Sequence, residues 1–284
     1  MTTRQSASVA GATVLITGAA RGMGELYARR ALAEGAAAVA LWDIDGDRLD
    51  RLAAELGAAG RTRVEPFVVD VSQQEAIAEG CRALRERLGV PDVIINNAGI
   101  VRGKPFWEHD PGRDIELTMR VNTLAAMWLT RELLPDLIAA APRPKRILNI
   151  ASAAGTLANP GMTVYAASKW AMLGWSDSLR LELAKAGHGH IAVTTFCPSY
   201  ISTGMFEGAR GPVLTPIMTP EMAVDAAWRG MKAGVPLVTK PWTVKLAMAL
   251  RGTLPTAAWD RIADRIFKVY SSMDAFTGRP EDAK

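Results

Sequence analysis

The chain has 284 residues, 49% apolar and 22% charged, an ordinary globular composition long enough to bury a full core. A net charge of +4 and a pI of 9.2 would suit a nucleic-acid partner, but the basic residues are scattered and none is expected. The two cysteines, Cys81 and Cys197, lie far apart without metal-like neighbours, which argues against a disulfide framework or a metal site and for a reducing, cytoplasmic setting.

Residues 1–10 are small and polar and are expected to be loose. Arg4 precedes a small, apolar run at 9–20, which reads better as a first core strand and its turn than as a signal peptide. That strand, 12–17, holds Val14, Leu15 and Ile16 and stops at Thr17-Gly18. After Gly22 and Gly24 the apolar spacing turns helical through Leu26, Tyr27, Ala31 and Leu32, predicting a helix over 23–34. A strand over 38–42 closes with Asp43, and a helix over 47–56 runs to the breaker pair Gly57 and Gly60. The next strand, 64–69, ends in Asp70, and Ser72 is placed to cap a helix over 73–88. A strand over 93–95 enters Asn96-Asn97-Ala98-Gly99.

A long helix over 111–140 is predicted to stop before Pro142 and Pro144. The run Arg143-Pro144-Lys145-Arg146 reads as a solvated loop leading into a strand over 146–150, followed by Ala151-Ser152. A helix over 162–186 ends at Gly187, and a strand over 191–196 leads to Pro198. The longest charge-free stretch, 147–168, is too rich in Ser, Thr, Asn, Gly and Pro to span a bilayer. Residues 204–219 contain three Gly, two Pro and two Met beside Phe206, a composition for a lid over an apolar substrate or for a surface loop. A helix over 220–233 and a strand over 237–239 complete the pattern.

From Pro241 two short amphipathic helices follow. Trp242, Leu246, Ala249 and Leu250 share one face of the first. Trp259, Ile262, Ile266, Phe267 and Tyr270 share one face of the second, with Asp260, Arg261, Asp264, Arg265 and Lys268 opposite. Such stripes pack on their own domain or a partner subunit, and a weak contact with a membrane surface is the other reading.

The alternation of strand and helix predicts an α/β fold, a doubly wound parallel sheet of the Rossmann kind with helices on both faces. Residues 1–240 would form this catalytic domain and 241–284 a C-terminal helical extension. Ligands of such sheets sit beyond the carboxyl ends of the strands, where Gly18, Asp43, Asp70, Asn97, Ser152 and Pro198 collect. Each could be a turn former, but six in register are harder to read as punctuation.

The glycine-rich turn suits a dinucleotide pyrophosphate, since glycine lets backbone approach the phosphates at the start of a helix. Asp43 ends the second strand, where a carboxylate accepts from ribose hydroxyls and repels a 2′-phosphate. NAD is therefore favoured over NADP, although Arg21 in the glycine turn could pair with that phosphate. Tyr165 and Lys169 are four apart on one helix face. An ammonium beside a phenol stabilises the phenolate, and Ser152 could hydrogen-bond a reacting oxygen. Read alone, the Tyr–Lys pair would be no more than a surface pair.

Together these residues resemble the short-chain dehydrogenase/reductase family, in its form built on about one Rossmann domain. The resemblance rests on Thr17-Gly18-Ala19-Ala20-Arg21-Gly22-Met23-Gly24, Asp70-Val71, Asn96-Asn97-Ala98-Gly99, Asn122, Ser152, Tyr165 with Lys169, and Pro198 followed by Ile201-Ser202-Thr203. It implies that Tyr165 is the general acid/base, that Lys169 binds the nicotinamide ribose and lowers the Tyr165 pKa, and that Ser152 orients the substrate oxygen. Asn122 would bend its helix and hold a relay water. Asp70 and Val71 would contact adenine, Asn97 with Ala98 and Gly99 the adenosine side, and Thr203 the carboxamide. Ser199 departs from the glycine usual after the proline, which puts the local backbone in question.

The reading that follows is an NAD(P)-dependent oxidoreductase interconverting a hydrophobic alcohol and its carbonyl compound. The end of the chain, 273–279, is similar to that of retinol- and hydroxysteroid-type members, which suggests a bulky substrate. A homodimer or homotetramer is expected from the resemblance. The alternatives are an NADPH-dependent carbonyl reductase, a non-catalytic cofactor sensor, or a membrane-surface protein. The sensor would be expected to lack part of the Asn122, Ser152, Tyr165, Lys169 set, which is whole here.

Overall fold

Short runs of Val, Ile, Leu and Ala form seven strands, described here from a computed structural model covering residues 6–58 and 60–278. They are β1 (Thr13–Thr17), β2 (Ala38–Asp43), β3 (Arg63–Val68), β4 (Val93–Asn96), β5 (Lys145–Ile150), β6 (Ile191–Pro198) and β7 (Leu237–Lys240). All pair in parallel, in the order β3-β2-β1-β4-β5-β6-β7. The order reverses between β1 and β4, so a crevice opens at the carboxyl ends of those two strands.

Helices α1 (Gly22–Ala33), α2 (Gly46–Ala58) and α7 (Pro220–Ala233) cover one face. Tyr27 and Trp228 stack there with ring centroids 6.3 Å apart. Helices α3 (Gln74–Leu88), α5 (Ala125–Ala139) and α6 (Thr163–Lys185) cover the other, around Trp42, Leu84, Leu129 and Leu179. With both faces covered, central strands such as β1, β4 and β5 are buried almost throughout, which explains their lack of alternation.

Two sequence expectations need correcting and two need refining. Ser72 does not cap α3: Gln73 precedes the helix, and the Ser72 N–H donates to Asp70 Oδ1 at 2.9 Å. The predicted helix over 111–140 is continuous from Pro111 to Ala139 but not uniformly α-helical. Wide π turns at Pro111–Glu116 and Arg120–Leu124 flank the three-residue α4 (Leu117–Met119) before α5 begins. The basic run is not a solvated loop either. Lys145 and Arg146 are buried in β5, and Asp92 binds Lys145 Nζ at 2.9 Å and Arg143 at 2.7 Å. A buried ammonium needs such a partner, and the partner lies too far away in sequence to be seen from the run.

The fourth concerns the tail, where α8 (Trp242–Thr253) and α9 (Thr256–Arg261) continue into a π turn over Ile262–Ile266. Trp259 and Ala263 pack against Leu157, but Trp242, Leu246 and Ile266 of the predicted stripes stay exposed. The lid segment is strapped down by this tail. Arg210 N donates to Ser272 O, Val213 N to Phe267 O and Thr277 N to Glu207 O, at 2.8, 2.8 and 2.9 Å. Gly208, at φ +81°, lies so close to the Ala275 carbonyl that no side chain would fit. The predictions for residues 1–5 and for Arg279 fall outside the described residues.

Candidate active site

The crevice is built on glycine. Gly18 and Gly22 take φ values of +64° and +60°, and a Cβ on Gly24 would run into the Gly18 carbonyl. Side chains are thus kept out of the concavity at the start of α1, whose free N–H groups suit a diphosphate. Thr17 Oγ1 accepts from the N–H groups of Asn97 and Ala98 at 3.0 and 3.1 Å. The Asn97 amide donates back to the carbonyls of Thr17 and Gly18, both at 3.0 Å. The loops after β1 and β4 are thereby fixed to each other. Asp43 accepts from Ala20 N at 2.9 Å and from Asp45 N at 3.1 Å, so its carboxylate both braces the glycine turn and edges the crevice.

The crevice widens into a cleft of about 400 Å³. Along it lie Gly18, Arg21, Gly22 and Met23, then Asp43, Asp70 with Val71, and Asn97 with Ala98 and Gly99. Ser152, Tyr165, Lys169, Pro198, Ile201 and Thr203 complete it. Of the positions singled out in the sequence, Gly24 and Asn122 lie behind this surface. Gly24 is the packing point just described. Asn122 is fully buried in the second π turn, where its amide donates to Ile100 O at 2.9 Å and Ser168 Oγ at 3.0 Å. Its Oδ1 accepts from Ile100 N at 2.8 Å, joining that helix to the loop after β4.

Helix α6 brings Tyr165 and Lys169 together, one turn apart. Lys169 Nζ sits 5.7 Å from the Tyr165 ring centroid and donates to Ile150 O at 2.9 Å. Gly155 makes this placement possible, since a Cβ there would stand 2.6 Å from the Lys169 carbonyl. Ser152 closes the turn after β5, accepting from Ala154 N at 3.1 Å, and hydrogen-bonds Tyr165. Burial lowers Lys169 to about 8. Burial also raises Tyr165 well above the ordinary phenol range, with the Ser152 hydrogen bond opposing. In this state desolvation sets the direction of the Tyr165 shift, and the group that opposes it is Ser152 rather than Lys169.

The burial of Tyr165 comes in part from Phe206, whose ring meets it edge-on at 5.7 Å and meets Tyr200 likewise at 5.3 Å. Beyond Phe206 is a second, mainly apolar cavity of about 80 Å³, walled by Leu157, Met162, Val244, Trp259 and Phe267. Ser152, Ser199 and Phe206 border both spaces. At the cavity wall the Tyr200 hydroxyl meets Ser272 Oγ at 2.8 Å and accepts from Asn159 at 3.1 Å. Tyr200, Asn159 and Ser272 come from three distant segments, so no spacing in the sequence announces them. Ser199 is not in the left-handed region and donates to Lys240 O at 2.8 Å, so the missing glycine leaves the backbone there unstrained.

Residues 12–212 match the family model described as short chain dehydrogenase. The chain belongs to this family. Among its relatives, epidermal retinol dehydrogenase 2 of Mus musculus is 36% identical over 278 residues, covering 96% of this chain and 87% of its own. Estradiol 17-beta-dehydrogenase 11 of Rattus norvegicus is 33% identical over 264 residues, covering 93% and 86%. A short-chain dehydrogenase from Sphingobium yanoikuyae, solved in complex with NADPH, is 30% identical with a TM-score of 0.72, covering 87% and 97%. As a short-chain dehydrogenase the chain is an oxidoreductase on a seven-stranded Rossmann-like sheet.

Proposed function

We propose that the protein is an NAD-dependent dehydrogenase that oxidises a bulky apolar alcohol to its carbonyl compound, with Tyr165 as general base. The observation that carries this is that Tyr165 and Lys169 line the glycine-edged cleft together with Ser152, which borders both that cleft and an apolar cavity. The concavity kept free by Gly18, Gly22 and Gly24 fits a dinucleotide pyrophosphate, and Asp43 is placed for the adenosine ribose. Asp70 and Val71 would hold the adenine and Thr203 the carboxamide. A nicotinamide dinucleotide bound here would exchange hydride with the substrate carbon.

The chain's own residues handle the proton. Ser152 donates to the substrate oxygen and orients it, while Tyr165 takes the hydroxyl proton as the carbonyl forms, or returns it in reduction. A buried phenol holds its proton, so oxidation requires Lys169 in its charged form to stabilise the phenolate. Asn122, held on the loop after β4 beside Lys169, supports a path for that proton towards solvent. The apolar cavity supports a hydrophobic substrate, as do relatives named as retinol and estradiol dehydrogenases.

The second reading is NADPH-dependent carbonyl reduction. Arg21 borders the cleft beside Asp43, and the solved relative quoted above holds NADPH. Two further points belong to the proposal. Buried free thiols at Cys81 and Cys197 support a reducing, cytoplasmic setting. Exposed Trp170 and Leu181 on α6 support a subunit interface in a homodimer or homotetramer.

Tyr165→Phe is the test of the chemistry. Turnover should fall about 10³-fold while NADH affinity, read by fluorescence titration, changes little. Retained activity would remove Tyr165 from the reaction. Asp43→Ala tests the cofactor: it should weaken NADH binding and admit NADPH, and an unchanged preference would give the choice to Arg21.

A further inference from the structure

The basic residues are scattered along the chain, but their excess over the acidic ones is not. Residues 240–270 hold six Lys and Arg against two Asp, a net +4 that equals the excess of the whole chain. This same stretch forms one side of the apolar cavity, through Thr243, Leu246 and Phe267, and the lid forms the facing side through Pro212 and Thr215. Two hydrogen bonds hold the sides together: Thr215 to Thr243 between hydroxyls at 2.9 Å, and Val213 N to Phe267 O at 2.8 Å.

The residues next to those contacts are large, apolar and exposed. Leu214 and Trp242 are each 67% exposed and Ile266 is 60% exposed, with Val213, Ile217 and Leu246 exposed as well. Scattered apolar side chains need no explanation, but six around one cavity do. Lys245, Arg265 and Lys268 stand exposed among them. Among the described residues, the non-glycine positions with positive φ are Leu214 at 61° and Lys268 at 55°, both in this rim. The backbone tolerates an unfavourable conformation at two of the residues that form this face.

We propose that the mouth of the apolar cavity is a docking face for an anionic lipid surface, from which an apolar substrate enters. Leucine, isoleucine and tryptophan at the rim suit the boundary between headgroups and acyl chains. The lysines and arginines between them suit anionic headgroups. Net positive charge in the segment that carries Trp242, Leu246 and Ile266, with Lys245, Arg265 and Lys268 exposed among them, favours this partner over a second copy of the chain, whose matching face would carry the same charge. Delivery of substrate rests on the function proposed above, whereas docking does not.

The test is cosedimentation of the full chain, without cofactor or substrate, with vesicles of phosphatidylcholine alone or mixed with phosphatidylglycerol. Binding should be roughly tenfold stronger to the mixed vesicles and fall with added salt. The triple variant Leu214→Gly, Trp242→Ser, Ile266→Ser should lose it. None of these three lines the cavity, and glycine suits position 214, so the variant should keep its circular dichroism spectrum and its turnover of a water-soluble alcohol. Lys245→Gln with Arg265→Gln should lose only the preference for anionic vesicles. No sedimentation with either vesicle, or equal sedimentation of the triple variant, would overturn the proposal. So would a dimer that the triple variant dissolves while vesicles capture nothing. Failure of the enzymatic reading would appear instead as no turnover in the vesicle-free assay.

Discussion

At the scale of single residues, the site depends on side chains that do two things at once. Asp43 braces the glycine turn through Ala20 N while presenting its carboxylate to the cleft. Lys169 anchors on Ile150 O and stands beside the Tyr165 ring. Burial lowers Lys169 from 10.5 to about 8, so between those values the unfolded chain binds more protons than the folded one. Stability contributed by this group therefore rises with pH across that window. Relative to Lys169→Met, the wild type should gain about 2 kcal/mol between pH 8 and pH 10. Urea denaturation of both proteins at the two pH values checks this, and a constant difference would contradict it. Tyr165 and Lys169 were legible because helical periodicity alone puts positions four apart on one face. Asn159, Tyr200 and Ser272 were not, because only the folded chain brings their segments together.

Elements were legible where local pattern decides them. The strands and most helices follow from apolar runs, breakers and the glycine turn. The π turns within the predicted helix over 111–140 were not, since the one at Asn122 serves hydrogen bonds to Ile100 and Ser168 that no local propensity reports. The burial of Lys145 likewise depends on Asp92, more than 50 residues away. The lid composition suggested closure over an apolar ligand, but not that the tail would hold it shut or that Phe206 would cover Tyr165. Phe206→Ala should join the cleft to the cavity and relieve part of the desolvation of Tyr165. We expect the onset of alcohol oxidation to move to lower pH and KM for an apolar alcohol to rise about tenfold, as lost apolar contact implies. The pH profile of kcat/KM checks this, and an unmoved onset would leave Phe206 a packing residue only.

At the scale of the whole molecule, the parallel sheet gathers its loops at one edge, and the reversal between β1 and β4 opens the crevice there. The tail adds what the sheet lacks, a roof over the apolar cavity and a positively charged face at its mouth. Among the described residues no helix is long and apolar enough to cross a membrane. In the function proposed above, Tyr165 moves the proton of an apolar alcohol beside Ser152, which borders both cleft and cavity. The most direct measurement is the reduction of NAD by wild type and by Tyr165→Phe, across secondary alcohols graded from polyols to large apolar rings. Turnover should favour the apolar alcohols and fall about 10³-fold in the variant. Oxidation of polyols in preference, or a variant as fast as the wild type, would contradict it.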